Sequence, residues 1–231
     1  MKKSMIGLLV MTSLSSFLVM ADRVKVDITN LSNALYYTPL LISAHNKKTH
    51  LFQVGKAAST SLQAMAEGGD ISGLISDLTA VNASNVANPA NGLLAPGASV
   101  STKVEINKKN RYLSIAAMLL PTNDGFVGLD ALRIPKKKGR YTYYINAYDA
   151  GTEANDEIIT GGGAPGAQGI PADPGGNSGT GASGVTGVDH NTYVHIHRGI
   201  VGGVNSDLNE AVHNWKNPIA KVTLTIRDYD D

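Results

Sequence analysis

Two acidic, glycine-bearing turns could do the most chemistry in this chain. They are Thr122-Asn123-Asp124-Gly125-Phe126-Val127-Gly128 and Ala147-Tyr148-Asp149-Ala150-Gly151-Thr152-Glu153, each after an apolar, strand-like run. Calcium takes about six to eight oxygens from carboxylates, amides and backbone carbonyls, and glycine lets a backbone turn sharply enough to offer them. Neither turn has the alternating acidic positions of an EF-hand loop, so an ion here would be shared between two strand-end loops. The competing reading is a pair of ordinary solvated Asp/Gly turns that bind nothing.

Histidines offer a second chemistry. His195-Ile196-His197 lies in a strand-like run that points both imidazoles to one face, and His190 precedes it by five residues. Two same-face imidazoles plus a carboxylate suffice for zinc or another transition metal, although a structural or solvent-facing pair is the commoner arrangement. A zinc hydrolase would need a third ligand and a general base from distant residues such as His45, His50 or Glu210, and no spacing identifies them. No Gly-x-Ser-x-Gly elbow is present, and the absence of cysteine excludes thiol catalysis and disulfides. Nothing in these patterns requires an enzyme.

The elements that must position the turns read as mainly β. Val24, Val26 and Ile28 alternate with polar residues, as do Val100, Thr102, Val104 and Ile106, and again Val222, Leu224 and Ile226. Period-two alternation marks strands with one buried face and suits two packed sheets. Further strands are expected at 40–44, 112–119, 126–133, 141–147 and 192–197. Residues 59–67 and 71–78 have helical spacing interrupted by Gly68-Gly69, and suggest short helices over a sheet edge or end. Residues 161–187 change to Gly, Pro, Ala and Ser without apolar periodicity, which predicts a long, disordered or loosely held loop. This run lacks the Lys-Ser/Thr and following helix of a phosphate cradle.

Lys2 and Lys3 precede the apolar run from Met5 to Met11, and Val19-Met20-Ala21 offers a cleavage point, so residues 1–21 read as an export signal. The product would be secreted or periplasmic. Without Lys2 and Lys3, 18 of the 20 basic residues remain against 19 acidic ones, a formal charge of −1. That balance gives no general attraction to nucleic acid or anionic membranes. About 210 residues can form one large all-β domain, 22–231, with ample core.

Several runs resemble the spondin N-terminal domain family in its bacterial secreted form. They are the run from Leu119 to Leu129 with its Pro121-Thr122-Asn123-Asp124-Gly125 turn, the run Tyr148-Asp149-Ala150-Gly151-Thr152-Glu153, and Asn217-Pro218-Ile219-Ala220-Lys221-Val222-Thr223. Ile28-Thr29-Asn30-Leu31 and Leu51-Phe52-Gln53-Val54-Gly55 extend the likeness over nearly all of 22–231. The resemblance implies an antiparallel, C2-like β-sandwich, an extracellular binding role, and a divalent cation, calcium, faced by Asp124, Asp149 and Glu153. Animal members carry an aromatic residue where this chain has Gly125, and they use disulfides. The expectation is a secreted, calcium-binding, non-catalytic module that adheres to an extracellular protein or glycan. A periplasmic metal-dependent hydrolase using His195 and His197 is the alternative, and a structural surface protein whose acidic turns bind nothing is a third.

Overall fold

The computed structural model describes residues 22–176, 178–185 and 192–227. The export-signal reading of residues 1–21, His190 and the end of the Gly-rich run at Thr186 and Gly187 lie outside the described residues.

The described residues form ten strands. They are β1 Asp22–Asn30, β2 Tyr36–Tyr37, β3 Leu41–His45, β4 Ser84–Ala87, β5 Ser99–Ile106, β6 Tyr112–Leu120, β7 Gly125–Arg133, β8 Gly139–Asp149, β9 His195–Ile196 and β10 Ala220–Ile226. The strand ladders are antiparallel and run in the order β4-β3-β6-β7-β8-β10-β1-β5, with β2 on β6 and β9 on β8. β8 changes partner within its own length. Up to Ile145 it pairs with β10, and from Asn146 to Asp149 it pairs with β7. It thereby joins two layers, and the end strands β4 and β5 lie against each other, so the sheet nearly closes into a barrel.

Between the layers sit Val24, Val26 and Ile28 of β1, Ile115, Ala117 and Leu119 of β6, Ala147 of β8, and Val222 and Leu224 of β10. These are the inward positions that the alternation marks. β6 is buried on its other face as well, because Ala116 and Met118 pack under two helices, α1 Thr60–Gly68 and α2 Ser72–Ala80. Ser59 caps α1 by accepting from the Leu62 N–H at 3.1 Å, and Gly69 ends it in the left-handed region at φ 71°. The helices were expected at a sheet edge or end. They instead cover a sheet face, since the outward side chains Ala116, Met118 and Phe126 are apolar and need a lid of Leu62, Met65, Leu74 and Leu78.

Two other expectations need adjusting. The strand expected at 192–197 narrows to His195–Ile196, and a short helix, α3 Glu210–His213, follows it. The Gly-rich segment forms no helix or named strand among the described residues, yet it is held by particular groups. Ile170 is fully buried against Ile200 and Leu208, Asp207 Oδ1 accepts from the N–H and hydroxyl of Thr180, and Asp173 lies 3.6 Å from His213 Nε2.

Candidate metal centre

Register brings the two acidic turns together. Gly125 opens β7 opposite Asp149, the last residue of β8, so the preceding Asp124 meets Ala150, whose N–H donates to the Asp124 carbonyl at 3.2 Å. Thr122 shapes the first turn. Its hydroxyl donates to the Leu119 carbonyl at 2.6 Å and accepts from the Gly125 N–H at 3.0 Å. A Cβ on Gly125 would stand 2.7 Å from Thr122 Oγ1 and 3.0 Å from His197 Cδ2. The bare backbone there admits both groups, which accounts locally for glycine at this position.

The second turn drapes its backbone over the first. Asp124 Oδ2 accepts from the Thr152 N–H at 2.8 Å, the Thr152 hydroxyl at 3.2 Å and the Glu153 N–H at 3.1 Å. Asp149 Oδ1 accepts from the Gly151 N–H at 2.8 Å, and its Oδ2 accepts from Asn155 Nδ2 at 2.6 Å. Glu153 turns towards Asn123 and the Gly-rich segment, where its Oε1 accepts from Asn123 Nδ2 at 3.1 Å and from the Gly169 N–H. These are not solvated turns, because Asp124 is 0% exposed and Asp149 1%.

Burial without full compensation raises the carboxyls. Asp124 is pushed up to about 7, first by desolvation and then by the neighbouring Asp149 charge. Glu153 is also pushed up to about 7 by burial, with Glu67 and Asp156 adding like charge. Asp124 Oδ1 and Glu153 Oε2 are buried without a hydrogen-bond partner among the described residues. Such an oxygen costs about 1–3 kcal/mol, and more when charged, unless a donor or cation reaches it. Among the described residues, no group of three or more His, Cys, Asp or Glu side chains converges in the manner of a metal-holding cluster. Asp124 and Asp149 are neighbours, while Glu153 is drawn aside by Asn123 and Gly169. The donor set has the hard-oxygen chemistry of calcium, and oxygens other than carboxylates would have to complete its shell.

The histidines are divided by the fold. His195 Nδ1 lies 2.8 Å from the Tyr193 carbonyl and 3.7 Å from Asp149 Oδ1. His197 is packed against Trp215, with ring centroids 4.8 Å apart, and its Nδ1 accepts from the Gly199 N–H at 3.0 Å. The neutral ring therefore carries its proton on Nε2. Burial pulls His197 down to about 4, which keeps it uncharged. His45, considered above as a distant ligand, is engaged with Ser114 Oγ at 2.7 Å, and His50 Nδ1 lies 2.5 Å from Asp130 Oδ2.

Two residues that spacing did not single out organise the site. Asn123 donates to Glu153 and, at 2.9 Å, to Asp156 Oδ1, and it accepts from the Glu157 N–H at 3.1 Å. Glu157, at φ 60°, accepts from the N–H groups of Val201 and Gly202 and from the Ser206 hydroxyl at 2.6–2.9 Å. Asn123 stands beside Asp124 in the same turn, a signal that a reading centred on carboxylates passes over. Glu157 offers none, since the groups its carboxylate holds lie more than 40 residues away.

The family model described as Spondin_N matches residues 29–158, which include β2 to β8 and both acidic turns. The chain belongs to the spondin N-terminal domain family. The match is narrower than the expected likeness and stops before Asn217 to Thr223. A search of curated proteins finds no match. Family and β-rich fold together make this spondin domain an extracellular-type module, and no helix among the described residues is long and apolar enough to cross a membrane.

Proposed function

We propose that this spondin domain is a secreted, calcium-binding module that adheres to an extracellular partner and performs no catalysis. The observation that carries the reading is the pair of buried, unpartnered carboxylate oxygens, Asp124 Oδ1 and Glu153 Oε2, on turns that the register brings together. Asp124, Asp149 and Glu153 are the residues that would hold the ion. Calcium, when bound, supplies positive charge to carboxylates that otherwise repel one another. The chain's own contribution is to fix the two loops by Asn123 and by the Thr152 and Glu153 amides, so that the loop surface keeps one geometry for a partner. The hydrolase alternative is disfavoured by the His197 tautomer: its buried Nδ1 accepts from the Gly199 amide, so the proton sits on Nε2, which has no partner among the described residues but offers no lone pair to a metal.

Calorimetric titration of calcium into chelator-stripped protein tests the reading. Saturable binding is expected, and calcium at about 100 times its Kd should add about 2.7 kcal/mol to stability. Asp124→Asn should abolish the response, whereas His195→Ala should leave it intact. Absence of binding up to millimolar calcium, with melting indifferent to chelator, would overturn it.

A further inference from the structure

Beside the helical lid, the outer face of the β7–β8 pair is open. It forms a cleft of about 440 Å³ bordered by Phe52, Gln53, Gly128, Asp130, Tyr144 and Asn146, with Tyr148 at its back. That volume is in the range of small-molecule sites, about 300–1,000 Å³. Its floor follows from register. Gly128 pairs with Asn146, and alternation along β8 puts Tyr144, Asn146 and Tyr148 on the same outward face. A Cβ on Gly128 would stand 2.7 Å from Phe52 Cζ, so the missing side chain lets the Phe52 ring settle over the sheet. Phe52 then contacts Phe126 and Tyr148 with ring centroids 5.0 and 4.8 Å apart, a fixed aromatic wall.

The cleft's chemistry selects its ligand. Tyr144 is 62% exposed, an unusual degree for an aromatic ring, and stands at the mouth beside exposed Val54. Two primary amides, Gln53 and Asn146, border the same space. An amide offers both donors and acceptors, the combination that matches a hydroxyl group, which itself donates and accepts. Among the described residues no Lys or Arg borders the cleft, and the one charged side chain on it is the Asp130 carboxylate, which accepts from the Leu51 N–H at 2.8 Å. Anionic ligands are therefore disfavoured. An exposed ring face for C–H groups, beside amides for hydroxyls and without a cation, fits a neutral sugar.

We infer that this cleft is a subsite for a neutral oligosaccharide, with Tyr144 as the stacking platform and Asn146 and Gln53 as the hydroxyl-reading groups. The inference rests on the reading of the domain as a binding module, and it names the partner's class. The wall is tied to the acidic turns, since Tyr148 precedes Asp149 and Phe126 follows Asp124 by two residues.

The test is calorimetric titration of the full chain with cellotetraose, xylotetraose, mannotetraose and the tetramer of N-acetylglucosamine, with acidic tetragalacturonate as the contrast. At least one neutral tetramer should bind saturably. Tyr144→Ala should weaken that binding by about tenfold or more, as expected for loss of a stacking ring. Tyr144→Phe should stay within about twofold, because stacking needs the ring and not the hydroxyl. Since Tyr144 is exposed, an unchanged melting temperature of Tyr144→Ala separates lost binding from lost folding. Asn146→Ala, two residues along the same face of β8, should also weaken binding, and affinity unchanged in this variant would overturn the role given to the amide. Failure of all four neutral sugars to bind, binding confined to tetragalacturonate, or equal affinity of Tyr144→Ala would each overturn the inference. Repeating the titration in chelator distinguishes the two proposals. Sugar binding that persists where calcium titration fails would overturn the calcium reading alone, and calcium binding without sugar binding would overturn this one alone.

Discussion

Gly166 donates its backbone N–H to Oε2 of Glu67 at 2.6 Å, fastening the Gly-rich segment to the last turn of α1. Nearby, a side chain on Gly68 would run into the Gly163 carbonyl, so the two backbones approach as only glycine permits. The segment works as a supplier of N–H groups to buried carboxylates. Gly166 serves Glu67, Gly169 serves Glu153 and Thr180 serves Asp207. Replacing residues 161–185 with a short Gly/Ser linker should therefore destabilise the domain by several kcal/mol, at about 1–3 kcal/mol for each buried acceptor left without its donor. Urea unfolding measures it, and a change under about 0.5 kcal/mol, typical of neutral surface edits, would contradict it.

Stability should also fall with rising pH in calcium-free protein. Asp124 and Glu153 hold their protons up to about 7 in the fold, against ordinary values of 3.8 and 4.5. A raised carboxyl contributes stability that is complete below its unfolded value and is lost as pH climbs through its folded value. Melting temperatures in chelator should thus decline between about pH 4 and 7 through these two groups. Calcium should offset the decline, since it binds the ionised carboxylates, so the gap between calcium and chelator curves should widen with pH. The double variant Asp124→Asn/Glu153→Gln should flatten the chelator profile, and an unchanged slope would count against this origin.

Asn123→Ala should cost about 3 kcal/mol, because it removes three bonds joining the turns and leaves the Glu153 and Asp156 carboxylates short of donors. Calcium affinity should fall with it, although Asn123 is no carboxylate. Chemical denaturation combined with calcium titration checks both effects. An effect on stability with calcium affinity intact would make Asn123 a structural tie alone.

Gly128→Ala should destabilise by overpacking, about 1–3 kcal/mol, because the added methyl meets Phe52 Cζ and Phe126 Cε2 at 2.7 and 2.9 Å. The urea midpoint should drop at constant slope. A variant as stable as the unmutated protein would mean that Phe52 swings away freely.

The residues that alternate were legible in sequence, and they are those whose structure is local. β1, β5 and β10 follow period-two patterns, and α1 ends where Gly68-Gly69 interrupts the helical spacing. The two-residue strand β2 and the half-buried β4 offer too short a pattern to register. The acidic turns were visible as turns, but Asp and Gly together read as solvated. Their burial depends on Asn123, Glu157 and the Gly-rich segment arriving from elsewhere in the chain. That segment carried no periodic signal because it is held mainly through backbone N–H groups, which every non-proline residue possesses.

The partner change of β8 between Ile145 and Asn146 has a mechanical consequence. One continuous strand belongs to both layers, so the layers cannot slide past each other without unzipping β8 from β7 or β10. Tension entering through the β7–β8 cleft would pass along the β8 backbone and through the antiparallel ladders to β10 and β1. A module that grips a partner at that cleft would then resist shear through the whole barrel, rather than through side-chain friction between two separate sheets.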